Sequence, residues 1–174
     1  MAAAAVMRTD NGFKDHTIRL RDFSSVYTAE LVAIFMALRH ARKSNERSVL
    51  ILSDSLSSIQ AISNRNLSHP YMKEILDYYT LLISEGKRVV LMWIPSHIGI
   101  HGNEKADKAA KSGLDINVDN ISSIKIPFSD YKAKTNEFVK DLWKRLWPEQ
   151  TDNKLFEIKP DLFEQPRSVC LNRK

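Results

Sequence analysis

The 174-residue sequence is poor in cysteine and has no long hydrophobic run. Its single cysteine, Cys170, excludes an internal disulfide framework and is typical of a reducing compartment. No apolar run approaches the roughly 18 residues that a membrane span requires. The short apolar run at residues 2–7 has no basic region before it, so it does not resemble a signal peptide. We expect an intracellular protein, nuclear or cytoplasmic, with no membrane partner.

The composition of the chain suits one folded domain that binds a polyanion. Hydrophobic residues make up 43% of the chain, which is enough to form a core. The net charge is +5, which favours an acidic partner without identifying nucleic acid. One basic cluster could contact phosphates, although a solvated helix end explains it equally well. The cluster consists of Arg39, Arg42, Lys43 and Arg47.

The order of the predicted elements indicates an α/β fold. Asn11-Gly12 is a hairpin signal ahead of an alternating strand at 16–23, so the chain opens with a β-hairpin. A helix with Thr28 as its N-cap follows. Helix and strand then alternate, which indicates βαβ units with a parallel pair of strands. The predicted elements are strands at 48–54 and 88–94, both fully covered, with Trp93 in the core, and helices at 56–62 and 71–85.

The second half of the chain divides at Gly113. Residues 95–102 are predicted to be a loop, and Asn103 to cap a helix at 104–112. We expect an incomplete domain at 1–113, a linker at 114–127, and a helical extension with an irregular tail at 128–174. The extension contains a predicted helix at 128–147, whose apolar stripe needs a partner. Its buried side should carry Phe138, Leu142 and Trp143.

Three carboxylates fall where an α/β scaffold presents functional groups. Asp54 ends a strand, and sites in open sheets lie at the carboxyl ends of strands. Glu30 is expected in the first turn of a helix, and Asp107 one turn into another. Converging carboxylates would suit hard divalent cations. Each acid also has a structural explanation: Glu30 as a partner of the helix dipole, Asp54 as a cap, and Asp107 as a surface partner of Lys111.

The histidines favour proton handling over other chemistries. His97 and His101 stand four apart in a segment that cannot be a helix, with no nearby Cys or third His, which argues against zinc. Ser96 lacks the context of a nucleophile elbow, which argues against a serine hydrolase. A loop histidine beside a metal site, such as His97, can relay protons.

Three blocks, in this order and spacing, resemble type 1 ribonuclease H, most of all the version in non-long-terminal-repeat retrotransposon reverse transcriptases. They are TAELVAIFMAL, ILSDSLSSIQAI and WIPSHIGIHGNEKADKAAK. The resemblance covers residues 2–113 and implies a ribonuclease H-like mixed sheet with flanking helices. It also implies Mg²⁺-dependent cleavage of RNA in RNA–DNA hybrids, with Mn²⁺ as the alternative cation. The other domains of a parent polyprotein would be further partners.

By the same resemblance, Glu30, Asp54 and Asp107 match metal-binding acids, and His97 matches a mobile histidine that assists proton transfer or product release. His101 matches no catalytic role. The family's first strand, which carries a further metal-bridging Asp, has no match. Asp10 is not its substitute, because only one strand is legible between Asp10 and Glu30. The resemblance therefore implies an N-terminally truncated copy that cleaves poorly or not at all.

Two alternatives remain open. The chain could be a non-catalytic remnant that keeps the fold and binds nucleic acid through its basic surface. It could also be a different nuclease on a related fold, such as an exonuclease or an integrase, although the HGNEKAD block argues against this.

Overall fold

The computed structural model describes residues 1–9, 12–116 and 125–159. The chain divides into two compact units, Met1–Tyr131 and Lys132–Lys174. Within the described residues, no helix is both long and apolar enough to cross a membrane. Asp10 and Cys170 lie outside the described residues, as does most of the predicted linker.

The chain opens with the predicted hairpin. Strand β1 (Ala2–Thr9) pairs antiparallel with β2 (Gly12–Arg19), from Ala2 opposite Arg19 to Thr9 opposite Gly12. Gly12 has φ +114, a conformation that glycine adopts at little cost. The pairing confirms the predicted hairpin, although β2 runs from Gly12 to Arg19 and not over the predicted residues 16–23.

A βαβ arrangement follows the hairpin. Its elements are helix α1 (Val26–Lys43), strand β3 (Ser48–Ser53), helices α2 (Leu56–Ser63) and α3 (Pro70–Ser84), and strand β4 (Arg88–Trp93). Strands β3 and β4 are parallel, in the register Ser48 opposite Arg88. The N-cap of α1 is Ser25 and not the predicted Thr28, since the Ser25 side chain accepts a hydrogen bond from the Thr28 amide. The helix therefore starts early enough to put Glu30 in its second turn.

The described strands form two separate two-stranded sheets, β1–β2 and β3–β4. Both pairs rest on α1, whose apolar face fills the core between them and α3. The fully buried side chains at the centre of this core are Leu20, Leu31, Leu38, Met72, Ile75 and Leu82. The prediction of a mixed α/β fold with flanking helices is confirmed, and no described strand joins the two sheets.

The parallel pair is not covered on both faces, contrary to the prediction from its continuous apolar run. Ile51 and Val89 are buried, whereas the alternate residues Leu50 and Leu52 are exposed. The prediction that Trp93 lies in the core is also wrong, because this residue is 44% exposed. An apolar run is typical of a strand between two layers, but here only the α1 side of the pair is filled.

Helix α4 (His101–Ser112) begins three residues earlier than predicted, so His101 is helical and not part of the loop. Its N-cap is Ile100, which leaves the side chain of Asn103 free for another partner. At its end, Gly113 is buried against the hairpin: an added Cβ would lie 2.9 Å from the Ala2 Cβ and even closer to the Thr17 methyl. Glycine permits this close packing of α4 on the sheet.

Helix α5 (Phe128–Leu146) confirms the predicted helix at 128–147. The prediction of its buried side is wrong, since Phe138, Leu142 and Trp143 are all exposed. The buried aromatic residue is Trp147, which packs on Phe156 and donates its indole N–H to the Lys159 carbonyl over 3.1 Å. The segment also contains a short helix, α6 (Lys154–Ile158).

The first turn of α5 is attached to the core by a buried polar network. Asp130 accepts hydrogen bonds from the Ser25 amide at 2.9 Å and from the Thr28 hydroxyl at 2.7 Å. The same hydroxyl lies 3.1 Å from Nε2 of His69, which is also buried. On the other side of the ring, Nδ1 accepts the Tyr71 amide, so the N-cap of α3 belongs to the network.

Candidate active site

The two sheets and two helices enclose a cavity of about 620 Å³, which we call the open cleft. Strands β1 and β3 form its edges, and α1 and α4 form its walls. Glu30 from α1, Asp54 after β3 and Asp107 from α4 all line it. The structure thus brings the three carboxylates predicted from the sequence to one cavity, although their sequence positions are far apart.

Electrostatics link the three acids. The pKa of Glu30 is raised to about 7, first by burial and then by the negative charges of Asp54 and Asp107. Like charges that stand close together disfavour ionisation in this way. A bound divalent cation would remove the penalty, and its preferred ligands are carboxylate oxygens. Their chemistry would suit a hard cation, although among the described residues the ligand atoms that lie within 4.8 Å of one another belong to His97, Glu104 and Asp107 and not to the three predicted acids.

Asp54 is held from two sides. Its carboxylate accepts a 3.1 Å hydrogen bond from Nδ2 of Asn103, and its backbone carbonyl accepts one of 3.1 Å from the Trp93 indole. Asp54 does not cap α2, because the cap is the hydroxyl of Ser55. Its carboxylate is oriented by Asn103 and remains available to a ligand.

His97 stands at the rim, in the loop between β4 and α4. Its Nδ1 lies 3.6 Å from an Asp107 carboxylate oxygen, and its side chain is exposed. Its φ of +56 is unusual for a residue other than glycine. Among the described residues, His97, Glu104 and Asp107 each offer one atom within 4.8 Å of the others, a group that could hold a metal ion.

The sequence predicted that the three acids lie together, but it did not predict the residues that contact them. Asn103 was interpreted as a cap, yet it orients Asp54. The position of Glu104 beside Asp107 could have been predicted, since the two lie three residues apart and such residues share a helix face. The partner of Asp107 is His97 and not Lys111, so the explanation of this acid as a surface pair does not hold.

The RNase H family model matches residues 1–115, which is more than half of the chain. The chain belongs to the RNase H family. One similar solved structure is the N-terminal RNase H domain of Rv2228c from Mycobacterium tuberculosis, determined as a fusion with maltose-binding protein. It is 19% identical, with a TM-score of 0.51 over 66% of this chain and 90% of that one. At this identity the likeness concerns the fold.

Family membership indicates the class of activity. An RNase H domain acts as a nuclease on RNA–DNA hybrids, and the matched residues include the whole open cleft. Residues 116–174 lie outside the match, so α5 and α6 are additions to the RNase H domain.

Proposed function

We propose that this RNase H domain performs metal-dependent endonucleolytic hydrolysis of RNA in RNA–DNA hybrids. Glu30, Asp54 and Asp107 would hold Mg²⁺ or Mn²⁺, and His97 would handle the proton. The observation that supports this most is that all three carboxylates line the open cleft. There burial first, and the charges of Asp54 and Asp107 second, raise the pKa of Glu30 to about 7.

Each acid has a separate part in this proposal. When bound, the cations activate water and neutralise charge on the scissile phosphate. Glu30 supplies a ligand from a rigid helix, and its partly buried position strengthens its electrostatic attraction to a cation. Asp54 presents the oxygen that Asn103 does not bind. Asp107 links the metal ligands to His97.

His97 is the residue best placed to exchange a proton with solvent. It is exposed, and its contact with Asp107 sets the ring at the rim of the cleft. An imidazole changes its charge near neutral pH, which suits transfer of a proton to the leaving oxygen. Loss of His97 should therefore lower kcat.

A second part of the proposal concerns the origin of this domain and whether it contains every strand of the fold. The three sequence blocks resemble the retrotransposon version of the family, and we propose that this chain is a truncated copy of such a domain. In support, β1 and β3 are not paired with each other, and a strand between them would join the two sheets. Without the acid carried by that strand, we expect cleavage to be very slow.

A cleavage assay tests both levels of the proposal. The chain is incubated with matched RNA–DNA hybrid, double-stranded RNA and double-stranded DNA, in Mg²⁺ or EDTA, with Asp54→Asn as the blank. A longer protein with an upstream Thr-Asp-Gly-Ser strand is assayed in parallel. We expect slow or absent hybrid cleavage by the chain, and Mg²⁺-dependent cleavage by the longer protein that Asp54→Asn abolishes. An inactive longer protein would contradict the assignment of these acids, and equal activity of the two would contradict truncation.

The second candidate is nucleic-acid binding without cleavage, which the separated sheets favour. Lys43, the last residue of α1, and Arg47, which follows the helix, are exposed, whereas Arg42 is paired with Glu85. Hybrid binding in EDTA that weakens steeply with salt would support it. The double variant Lys43→Gln and Arg47→Gln should then weaken binding, and Lys154→Gln with Lys159→Gln provides the matched control on the C-terminal unit.

A further inference from the structure

The face of β2 that points away from α4 carries two basic residues. On the other face, the Thr17 hydroxyl donates to the Ala109 carbonyl of α4 over 3.5 Å, so the odd-numbered residues of β2 point toward that helix. Side chains of a strand alternate between two faces, and the even-numbered residues therefore point the opposite way. They include Lys14 and His16, both of which are exposed.

The last turn of α1 lies against this face and adds two further basic residues. The imidazole rings of His16 and His40 are 5.6 Å apart between centroids, at an interplanar angle of 47°. Lys43 follows His40 by three residues, and residues at this spacing share a face of a helix. Two basic residues of β2 and two of α1 therefore lie together. We call them the β2–α1 patch, which consists of Lys14, His16, His40 and Lys43.

The β2–α1 patch is not neutralised by acidic residues. Among the residues that the structure describes, no member of the patch takes part in an ion pair, whereas Arg42 of the same helix is paired with Glu85. Burial lowers the pKa of His40 below its ordinary value, and the positive charges of the other three members lower it further. A bound anion would relieve this repulsion between like charges.

The helix dipole does not neutralise the patch either. Basic residues in the last turn of a helix complement the partial negative charge at its C-terminus, and His40 and Lys43 lie in that turn of α1. This partial charge amounts to about half an elementary charge. The two lysines of the patch carry four times as much positive charge between them, so the patch as a whole remains positive.

The donors of the patch indicate which kind of anion fits it. Its two ammonium groups are charged at neutral pH, and its two imidazoles gain charge as the pH falls through about 6.5. All four groups donate hydrogen bonds to oxygen when they are protonated, and such charge-assisted bonds are strong. A doubly charged oxyanion matches this set better than the singly charged phosphodiester of a nucleic-acid backbone.

We propose that the β2–α1 patch binds a phosphate group with two negative charges, either as the free ion or as a terminal phosphomonoester. Binding tightens as the pH falls, because the imidazoles gain positive charge. His40 lies ten residues after Glu30 on α1, which places the patch about 15 Å along the helix from that acid. The inference therefore concerns a separate site and does not depend on nuclease activity.

Sulfate is the first probe, because it stays doubly charged over the range of about pH 5 to 8 in which imidazoles titrate. The histidine resonances are followed by NMR, with chloride at equal ionic strength as the reference. Sulfate should shift the resonances of His16 and His40 and raise the pKa of His40 by about one unit. The exposed His101 of α4 should not respond. An unchanged pKa of His40, or an equal response of His101, would overturn the proposal.

The affinity for sulfate should depend on pH to a matching extent. A shift of one unit in the pKa of His40 corresponds to binding that is about tenfold tighter when its imidazole is charged. His40→Gln cannot titrate and should lose most of this dependence. A pH dependence that is unchanged in His40→Gln would show that the bound anion lies elsewhere, and the proposal would be wrong.

Variants that remove one charge test the lysines. Lys14→Gln and Lys43→Gln should each weaken sulfate binding by about two- to fivefold, which is typical of an exposed ion pair. Lys108→Gln, at an exposed position of α4, is the matched control and should leave the affinity unchanged. All three positions are exposed, so the variants should fold. Equal weakening by all three would show that sulfate responds only to net charge, which would contradict a defined site.

Competition identifies the source of the phosphate group. Free phosphate, a short single-stranded DNA with a terminal phosphate and the same DNA with a terminal hydroxyl each compete with sulfate for the patch. Displacement by free phosphate alone supports the free ion as the ligand. Displacement by the phosphorylated DNA, and not by the hydroxyl form, supports a terminal phosphomonoester. If both DNAs displace sulfate equally well, the patch binds the nucleic-acid backbone and the proposal would be wrong.

Discussion

Asn103 donates a hydrogen bond from Nδ2 to the Asp54 carboxylate over 3.1 Å. The bond connects the first turn of α4 to the residue that follows β3. Residues that orient metal ligands commonly change metal affinity by about 10- to 100-fold. We predict that Asn103→Ala weakens Mg²⁺ binding, measured by calorimetry, within that range. Ser112→Ala, which removes an exposed hydroxyl on the same helix, is the control. Equal affinities for the two variants would rule out this role.

Two glycines of the α4 region should respond in opposite directions to the same substitution. At Gly113 a new Cβ would collide with Ala2 and Thr17, so Gly113→Ala should lower the free energy of unfolding by about 1–3 kcal/mol. At Gly102 the nearest atom is a Phe13 carbon at 3.8 Å, an ordinary contact. Gly102→Ala should raise the free energy of unfolding by up to about 1 kcal/mol, because alanine favours the helix. Urea denaturation measures both, and a stabilising Gly113→Ala would contradict the packing described.

The buried His69 should make stability depend on pH. Burial lowers its pKa below the ordinary value, and the charge of Asp130 opposes this only in part. The unfolded chain therefore binds this proton more tightly than the native protein, so the contribution of His69 to stability is full above about pH 6.5 and is lost as pH falls below it. Protonation would also remove the acceptor for the Tyr71 amide.

His69→Asn tests this pH dependence, since asparagine can cap α3 without titrating. The variant should lose the decline in stability between about pH 6.5 and 5. His101→Asn, on an exposed imidazole, should retain it. If the decline persists unchanged in His69→Asn, another group is responsible.

Asp130 should contribute more to stability than its place at the start of an appended helix suggests. Its carboxylate is buried and accepts from the Ser25 amide and the Thr28 hydroxyl. Asp130→Ala leaves both donors unpaired, which should cost about 3 kcal/mol. Asp141→Ala, on the exposed surface of the same helix, should cost little. Thermal unfolding compares them, and similar melting temperatures would show that the network is weak.

Helices and strands were predictable where a local sequence signal agreed with the pattern of apolar residues. The turn at Gly12 and the periodic helices α1 and α5 are examples. Prediction failed where burial depends on which elements pack against a strand. The apolar sequence predicted that Leu50 and Trp93 lie in the core, yet one face of the parallel pair is open. That the three acids line one cleft was predictable from motif and spacing, but the contact between Asn103 and Asp54 was not. It joins residues far apart in sequence through side-chain geometry.

The indole of Trp93 provides an optical reporter for the candidate site. Its N–H bonds to the Asp54 carbonyl, and its ring is partly exposed, so its emission should respond to changes at that residue. The chain has three tryptophans, and the other two, Trp143 and Trp147, lie in the C-terminal unit. Replacing those two with phenylalanine would leave a single fluorophore beside Asp54, one of the three carboxylates proposed to bind metal. Cation titrations could then be followed by intrinsic fluorescence, without any label.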